Sequence, residues 1–220
     1  MFNIAIDGPA GAGKSTIAKD IAKRIGFVYV DTGAMFRSIA LYMLNNKVDP
    51  NDEAAVSKEC PNLDITISYL DGEQQVILNG ENVSKLIRTE EVGNTASIVA
   101  KYQAVRSKLL ELQRALAAKE NVIMDGRDIG SFVLPNADLK VYLTASSHER
   151  ARRRVAQLAE NGITADFNEV EADIIKRDEQ DMNREIAPLK QADDAVLVDS
   201  SDMSVEDVIN KIISLYEERK

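Results

Sequence analysis

The feature that most constrains this chain is a glycine-rich loop near its N-terminus. Residues 8–15 read Gly-Pro-Ala-Gly-Ala-Gly-Lys-Ser and fill every fixed position of the pattern G-x-x-x-x-G-K-S. An apolar run at 2–6 precedes the loop, and a helical pattern at 13–25 follows it. In such a strand–loop–helix unit, the backbone N–H groups wrap around phosphate groups at the positive end of the helix. The sequence therefore predicts a site for the phosphates of a nucleoside triphosphate.

Two side chains of this loop have predictable tasks. The Lys14 ammonium can reach the β- and γ-phosphates, and the Ser15 hydroxyl can bind Mg²⁺ directly. The motif by itself indicates only nucleotide binding, because GTPases, helicases, transporters and small-molecule kinases share it. The residues predicted to contact ATP are Gly8, Pro9, Ala10, Gly11, Ala12, Gly13, Lys14, Ser15 and Thr16.

Short apolar runs alternate with amphipathic helical runs along most of the chain. This alternation predicts an α/β fold, in which a parallel sheet is covered by helices on both faces. Helices are expected over 34–45, over 104–118 and after Ser204, where Ser204 to Asp207 reads as a capping box. The five predicted strands lie at 2–6, 28–30, 122–124, 139–143 and 195–198.

Between about residues 63 and 88 the sequence pattern differs from this strand–helix alternation. Apolar and polar residues alternate there, and the pairs Asp71-Gly72 and Asn79-Gly80 interrupt the pattern. Alternation with such turn pairs predicts an antiparallel hairpin or three-stranded meander. The segment is too small for an independent domain. We therefore expect one domain over 1–220, with a core at about 1–62 and 104–220 and an inserted β lobe at about 63–103.

Charge and composition exclude several classes of protein. The net charge of −9 over 220 residues argues against nucleic acid as a partner, because such binding depends on a positive surface. No apolar run is long enough to span a membrane, and the first residues lack the basic region of a signal peptide. The single cysteine, Cys60, is typical of a reducing compartment. We expect a cytoplasmic protein that binds neither nucleic acid nor membrane.

Polar segments follow two of the predicted strands. Residues 31–37 (Asp-Thr-Gly-Ala-Met-Phe-Arg) follow the second strand, and residues 125–130 (Asp-Gly-Arg-Asp-Ile-Gly) follow the third. Ligands of open parallel sheets gather at these carboxyl ends, and Arg37 is suited to a bidentate grip on a phosphate. Further along, Arg177, Asp181 and Arg184 have the spacing of one helix face. That stripe is equally compatible with a solvated, salt-bridged surface.

Six segments together resemble the bacterial cytidylate kinases, members of the nucleoside monophosphate kinase group. They are IDGPAGAGKST, DTGAMFR, IRTEEVGNTAS, VIMDGRDIG, ASSHERARRR and RDEQDMNREIAPL, and the similarity runs along nearly the whole chain. DGRDIG and the last segment are much more specific than the loop motif. The resemblance implies an enlarged monophosphate-binding lobe and a monomer that transfers the γ-phosphate of ATP to CMP or dCMP with Mg²⁺.

The resemblance also implies roles for single residues. A carboxylate beside an arginine fits cytosine, whose amino donor adjoins acceptors at N3 and O2. The acceptor phosphate would be held by Thr32, Arg37, Arg127 and Arg184. The cytosine edge would be read by Ser97, Arg106 and Asp128, and the pentose held by Arg177 and Asp181. A lid at about 147–165 would bring Arg150 and Arg154 over ATP. The expected catalytic set is Lys14, Arg127, Arg184, Arg150 and Arg154.

Two positions leave a role open. Members of the family usually carry tyrosine where this chain has Phe36, so the ring surface beside the acceptor is kept and a hydroxyl contact is lost. Asp125 could bind Mg²⁺ through water, like the strand-end aspartate of other P-loop proteins. It could equally orient Arg127.

Two alternative functions have to be weighed. Adenylate, thymidylate, shikimate and dephospho-coenzyme A kinases share the loop and the sheet, but the DGRD segment and the inserted lobe disfavour them. A nucleotide-regulated binding protein of the GTPase type would carry the guanine-reading motif N-K-x-D. The chain has no such motif, since Asn210-Lys211-Ile212-Ile213 lacks the aspartate.

Overall fold

The computed structural model describes residues 1–160 and 162–220. The strands are β1 (Asn3–Asp7), β2 (Val28–Asp31), β3 (Ile65–Leu70), β4 (Glu73–Leu78), β5 (Glu81–Asn82), β6 (Val122–Gly126), β7 (Leu139–Thr144) and β8 (Val196–Asp199). The helices are α1 (Lys14–Ile25), α2 (Thr32–Asn45), α3 (Glu53–Glu59), α4 (Glu90–Val99), α5 (Gln103–Lys119), α6 (Ser147–Glu160), α7 (Phe167–Asn183) and α8 (Val205–Glu217).

Five strands form a parallel sheet in the order β2-β6-β1-β7-β8, flanked by helices. Ile4 of β1 lies opposite Leu139 of β7, and Val141 of β7 lies opposite Val196 of β8. Ile4 and Ile6 are fully buried, as is typical of a parallel strand covered on both faces. The predicted α/β fold is confirmed, and each predicted strand agrees with the observed one to within two residues.

The chain divides into two compact units. The lobe unit comprises Met1 and Val28–Val122, and the loop unit comprises Phe2–Phe27 and Ile123–Lys220. The domain limits expected from the sequence stay a prediction. None of the helices in the described part of the chain is long and apolar enough to cross a lipid bilayer.

In the loop unit, α8 begins with the predicted capping box. The Ser204 side chain accepts a hydrogen bond from the Asp207 N–H, and the Asp207 side chain accepts one from the Ser204 N–H. This exchange satisfies N–H groups that the first turn of a helix leaves unpaired. At the other end of α8, Tyr216 packs edge-on against Phe2 and Phe27, with ring centroids 5.1 and 5.4 Å apart.

In the lobe unit, strands β3, β4 and β5 form a separate antiparallel sheet. Asp71 and Gly72 connect β3 to β4, Asn79 and Gly80 connect β4 to β5, and all four residues have positive φ. Two consecutive residues with positive φ form the tight turn that matches the twist of a hairpin. The predicted meander is therefore confirmed, and the two turn pairs were its decisive signal.

The prediction that Arg177, Asp181 and Arg184 share one helix face is wrong at its last member. Helix α7 ends at Asn183, and Arg184 is extended, with φ −66° and ψ 141°. Pro188 disfavours helical geometry at the residue before it, and Ala187 has a φ of 48°. After α7 the chain turns back on itself, as the hydrogen bond from the Leu189 N–H to the Asp181 carbonyl oxygen, over 2.8 Å, shows.

Replacing Gly80 with alanine is expected to lower the free energy of unfolding by about 1–2 kcal/mol. Gly80 has a φ of 84°, where an L side chain is strained. Gly93→Ala is the matched control, because Gly93 lies in α4 and an added Cβ would meet no atom within 4 Å beyond the backbone of its own helix. It is expected to raise the free energy by about 0.5–1 kcal/mol. Urea denaturation measures both variants, and shifts of the same sign would contradict the prediction.

Candidate active site

The glycine-rich loop runs from the end of β1 to the start of α1 and passes very close to β7. Gly8 has a φ of 147°, and a Cβ added there would lie 1.9 Å from the Leu143 carbonyl oxygen. No larger residue fits this approach without moving the strand. Gly11 and Gly13 also have positive φ, so the loop has the backbone freedom that wrapping of a phosphate requires.

Lys14 is buried in this loop, although lysine is an ionisable residue. It is 5% exposed, and its Nζ donates to the Pro9 carbonyl oxygen over 2.8 Å. Burial lowers the pKa of Lys14 well below its usual value, the nearby Arg127 lowers it further, and Asp125 and Asp7 oppose the change. A phosphate group beside Lys14 would favour its charged form.

Ser15 and Asp125 supply two oxygen donors for a cation. The Ser15 hydroxyl, in the first turn of α1, donates to Asp125 Oδ2 over 2.8 Å. Within the described ranges, no three His, Cys, Asp or Glu side chains converge where they could hold a metal ion. Mg²⁺ characteristically takes few protein oxygens and completes its shell with phosphate oxygens and water. The Ser15–Asp125 pair therefore fits the donor set of a magnesium ion bound together with a nucleotide.

Acidic and basic side chains alternate where β6 ends. Arg127 Nε donates to Asp181 Oδ2 over 2.9 Å, and Arg184 Nη2 donates to Asp128 Oδ1 over 3.1 Å. Arg184 Nη1 also lies 3.7 Å from Asp181 Oδ1. Four of the sequence-predicted residues are thus brought together in one cluster. Arg177 lies one turn before Asp181 on α7 and is half-buried.

Asp7 holds the turn that carries Asp128. Its two carboxylate oxygens accept hydrogen bonds from the N–H groups of Ile129 and Gly130, each over 2.7 Å. Burial raises the pKa of Asp7 from 3.8 to about 6, and Asp128 adds to this, whereas the two hydrogen bonds lower it. The sequence predicted no definite role for Asp7. Its position directly before the loop was the available signal.

Of the two predicted lid arginines, the structure places only Arg150 beside the loop. Arg150 Nη1 donates to the Ala10 carbonyl oxygen over 3.0 Å and lies 2.7 Å from Asp178 Oδ2. Arg154 is exposed and donates to Gln157. Asp178 was missed, although it lies one turn after the buried Ile174 on α7 and so shares its face. Residue 161 of the predicted lid lies outside the described residues.

In the lobe unit, Asp31 gathers several donors at the carboxyl end of β2. It caps α2 by accepting the Ala34 N–H over 2.8 Å. Arg37 Nη2 lies 3.0 Å and Arg88 Nη1 3.4 Å from Asp31 Oδ2. Thr32, next to Asp31, is 2% exposed. The sequence predicted Thr32 and Arg37 as site residues but missed Asp31 and Arg88, although both lie in segments that carry the family resemblance.

Phe36 and Arg106 form a second group in the lobe unit. The Arg106 guanidinium lies 5.6 Å from the centroid of the Phe36 ring, and Arg106 Nη1 donates to the Ala100 carbonyl oxygen over 2.8 Å. A phenylalanine ring is sufficient for this cation–π contact. The Ser97 hydroxyl, on α4, donates to the Gly93 carbonyl oxygen over 3.3 Å.

Stability is expected to respond to pH through Asp7. Since the pKa of Asp7 is about 6 in the folded protein and 3.8 is its usual value, its ionisation opposes folding as pH rises from about 4 to 6. Between pH 4.5 and 7.5, the free energy of unfolding of the wild type should therefore fall by about 2 kcal/mol relative to that of Asp7→Asn. Urea denaturation of both proteins at several pH values measures this difference. A difference independent of pH would contradict the raised pKa.

The two lid arginines are expected to differ in their effect on stability. Arg150→Met leaves the buried carboxylate of Asp178 without its cation and should lower the free energy of unfolding by about 3 kcal/mol. Arg154→Met is the matched control and should change it by less than about 0.5 kcal/mol, because Arg154 is exposed. Urea denaturation at pH 7.5 compares the two. Equal losses would show that the Arg150–Asp178 ion pair contributes no more to stability than an exposed arginine does.

Known proteins are similar to this chain along almost its whole length. The family described as cytidylate kinase matches residues 4–218. The cytidylate kinase of Caldicellulosiruptor bescii is 48% identical over 215 residues, which cover 98% of this chain and 95% of the relative. The cytidylate kinase of Geobacillus sp. (strain WCH70) is 47% identical over 218 residues, covering 99% and 97%.

A similar fold occurs in the solved structure of a gluconokinase from Sinorhizobium meliloti 1021. It has a TM-score of 0.51 and 12% sequence identity, and the match covers 99% of this chain and 93% of that chain. At this identity, the similarity concerns the fold alone. The match over residues 4–218 and the 48% identity to a curated relative are decisive: the chain belongs to the cytidylate kinase family.

Proposed function

We propose that this protein transfers the γ-phosphate of ATP to CMP or dCMP, giving ADP and CDP or dCDP. The observation that carries the proposal is the family match over residues 4–218. The loop geometry supports it, because the chain provides a phosphate-wrapping backbone, a buried lysine and an oxygen pair suited to Mg²⁺. A binding protein that only senses a nucleotide would not need the additional arginines of the loop unit, Arg127, Arg150 and Arg184.

The reaction needs no nucleophile from the protein. A phosphate oxygen of the acceptor attacks the γ-phosphorus of ATP, a new P–O bond forms, and the bond to the β-phosphate oxygen breaks and leaves ADP. The protein has to position two polyanions and neutralise their charge. Lys14 would act on the β- and γ-phosphates, and Arg127 and Arg184 on the transferred group.

Ser15 would bind Mg²⁺ through its hydroxyl, and Asp125 through water. The ion would supply positive charge to the phosphates of ATP. The hydrogen bond between Ser15 and Asp125 supports this assignment, because it places the two oxygens 2.8 Å apart. Asp125 also holds the Ser15 hydroxyl in place, which does not depend on the ion.

The remaining residue roles are proposals that rest on the family. Thr32 and Arg37 would bind the acceptor phosphate, and Arg177 and Asp181 the pentose. Ser97, Arg106 and Asp128 would read cytosine, beside the ring of Phe36. Arg150 and Arg154 would act from the lid, for which Arg150 has the better support through its contact with Ala10. A cytoplasmic location, a monomeric state and the lack of binding to nucleic acid stay predictions from the sequence.

A panel of acceptors tests the proposal. With ATP and Mg²⁺, ADP release should be fast with CMP and dCMP and at least about a hundredfold slower with UMP, AMP, GMP and shikimate, because a site built for the hydrogen bonds of one base leaves buried groups unpaired with another. Lys14→Met should lose activity by orders of magnitude while it still unfolds cooperatively.

The outcomes separate the alternatives. If another acceptor is preferred, the protein is a P-loop kinase and the proposed base site is wrong. If no acceptor stimulates ADP release although ATP binds, a nucleotide-regulated binding protein becomes the better description. Normal turnover by Lys14→Met would remove Lys14 from the mechanism.

A further inference from the structure

The side chain of Gln74 forms two hydrogen bonds with the main chain of Asp31. Its Oε1 accepts the Asp31 N–H over 2.8 Å, and its Nε2 donates to the Asp31 carbonyl oxygen over 3.2 Å. Gln74 lies in β4, and Asp31 is the last residue of β2. The N–H and C=O of one residue in a strand point to the same side. The carboxamide of Gln74 therefore pairs with Asp31 as a peptide group of a neighbouring strand would.

β2 is the end strand of the five-stranded sheet, so in the part of the chain that the structure describes one of its edges has no neighbouring strand. A second side chain of the meander binds this edge, because the Tyr69 hydroxyl donates to the Tyr29 carbonyl oxygen over 3.0 Å. Tyr29 lies two residues before Asp31, and alternate residues of a strand direct their main-chain groups to the same side. Tyr69 and Gln74 thus attach the meander to one edge of β2.

The pairing of β3 with β4 explains why these two side chains act together. Tyr69 lies directly opposite Gln74, whereas Gln75 lies opposite Ser68. Residues opposite each other in a sheet project from the same face, and the next pair projects from the other. Gln75 accordingly makes its contacts within the meander, where it accepts from Asn82 Nδ2 over 3.0 Å.

Asp31 transmits this attachment to charged side chains. Its carboxylate is buried and lies 3.0 Å from Arg37 and 3.4 Å from Arg88. It also caps α2, the helix that carries Arg37. A shift of the Asp31 main chain would therefore move the carboxylate that both guanidinium groups contact, and with it the first turn of α2, the helix that carries Arg37.

We propose that Gln74 is a positioning residue for binding of the acceptor nucleotide. It fixes the main chain of Asp31, and Asp31 in turn orients Arg37 and Arg88. The inserted β lobe thus contributes to acceptor affinity through one side chain that does not itself touch substrate. This inference rests on the proposed function, in which Arg37 binds the phosphate of CMP.

The test compares Gln74→Met with the control Gln75→Met. Methionine has a similar length to glutamine but cannot make either hydrogen bond to Asp31. Gln74→Met should raise the KM for CMP about tenfold, the effect of losing about 1.4 kcal/mol, and leave the KM for ATP within twofold. Gln75→Met should leave both constants within twofold. Gln74→Asn, one methylene shorter, provides a second disruption if Gln74→Met does not unfold cooperatively.

Several results would overturn the inference. An unchanged KM for CMP in a folded Gln74 variant, an equal rise for CMP and ATP, or the same effect from Gln75→Met would each assign Gln74 a structural role only. Tyr69→Phe removes the other attachment and should lower the melting temperature without changing the KM for CMP. A wild-type protein without CMP-dependent ADP release would instead overturn the proposed function, and this inference with it.

Discussion

Three buried aspartates at the carboxyl ends of parallel strands each hold one part of the candidate site. Asp7 ends β1, Asp31 ends β2, and Asp125 lies one residue before the end of β6. Each is at most 6% exposed. A buried carboxylate is costly unless it accepts hydrogen bonds, so each of them orders the donors around it. Asp7 orders the main chain at 129–130, Asp31 orders two arginines and the start of α2, and Asp125 orders the Ser15 hydroxyl.

The same burial explains why the loop unit is suited to an anionic ligand. Burial lowers the pKa of Lys14 and raises the pKa of Asp7, so both side chains are less readily charged than in water. Arg127 adds positive charge that also disfavours the charged form of Lys14. A polyphosphate at the loop would offset this repulsion between Lys14 and Arg127, because it places negative charge beside both cations. Binding of the nucleotide would therefore be coupled to the charge state of Lys14, although the protein as a whole is acidic.

Local signals in the sequence were sufficient for much of the fold. The strand–loop–helix unit, the two turns of the meander and the capping box of α8 each depend on neighbouring residues, and each was predicted. The end of α7 could not be predicted from helical spacing, because it depends on the return of the chain from Leu189 to Asp181. The difference between Arg150 and Arg154 likewise depends on contacts with Ala10 and Asp178, which are remote in sequence.

The Gln74 contact shows where prediction from sequence ends. A two-residue turn at 71–72 places Tyr69 opposite Gln74, so the sequence is enough to predict that these side chains share one face of the hairpin. It does not identify their target, because β2 precedes them by about forty residues and its open edge follows from the strand order of another sheet. A polar pair on a small sheet would ordinarily be taken for solvated surface. The pair binds the main chain of Tyr29 and Asp31, two alternate residues of one strand. A neighbouring strand would bind main-chain groups at the same spacing, and this regular spacing distinguishes a specific attachment from a chance contact.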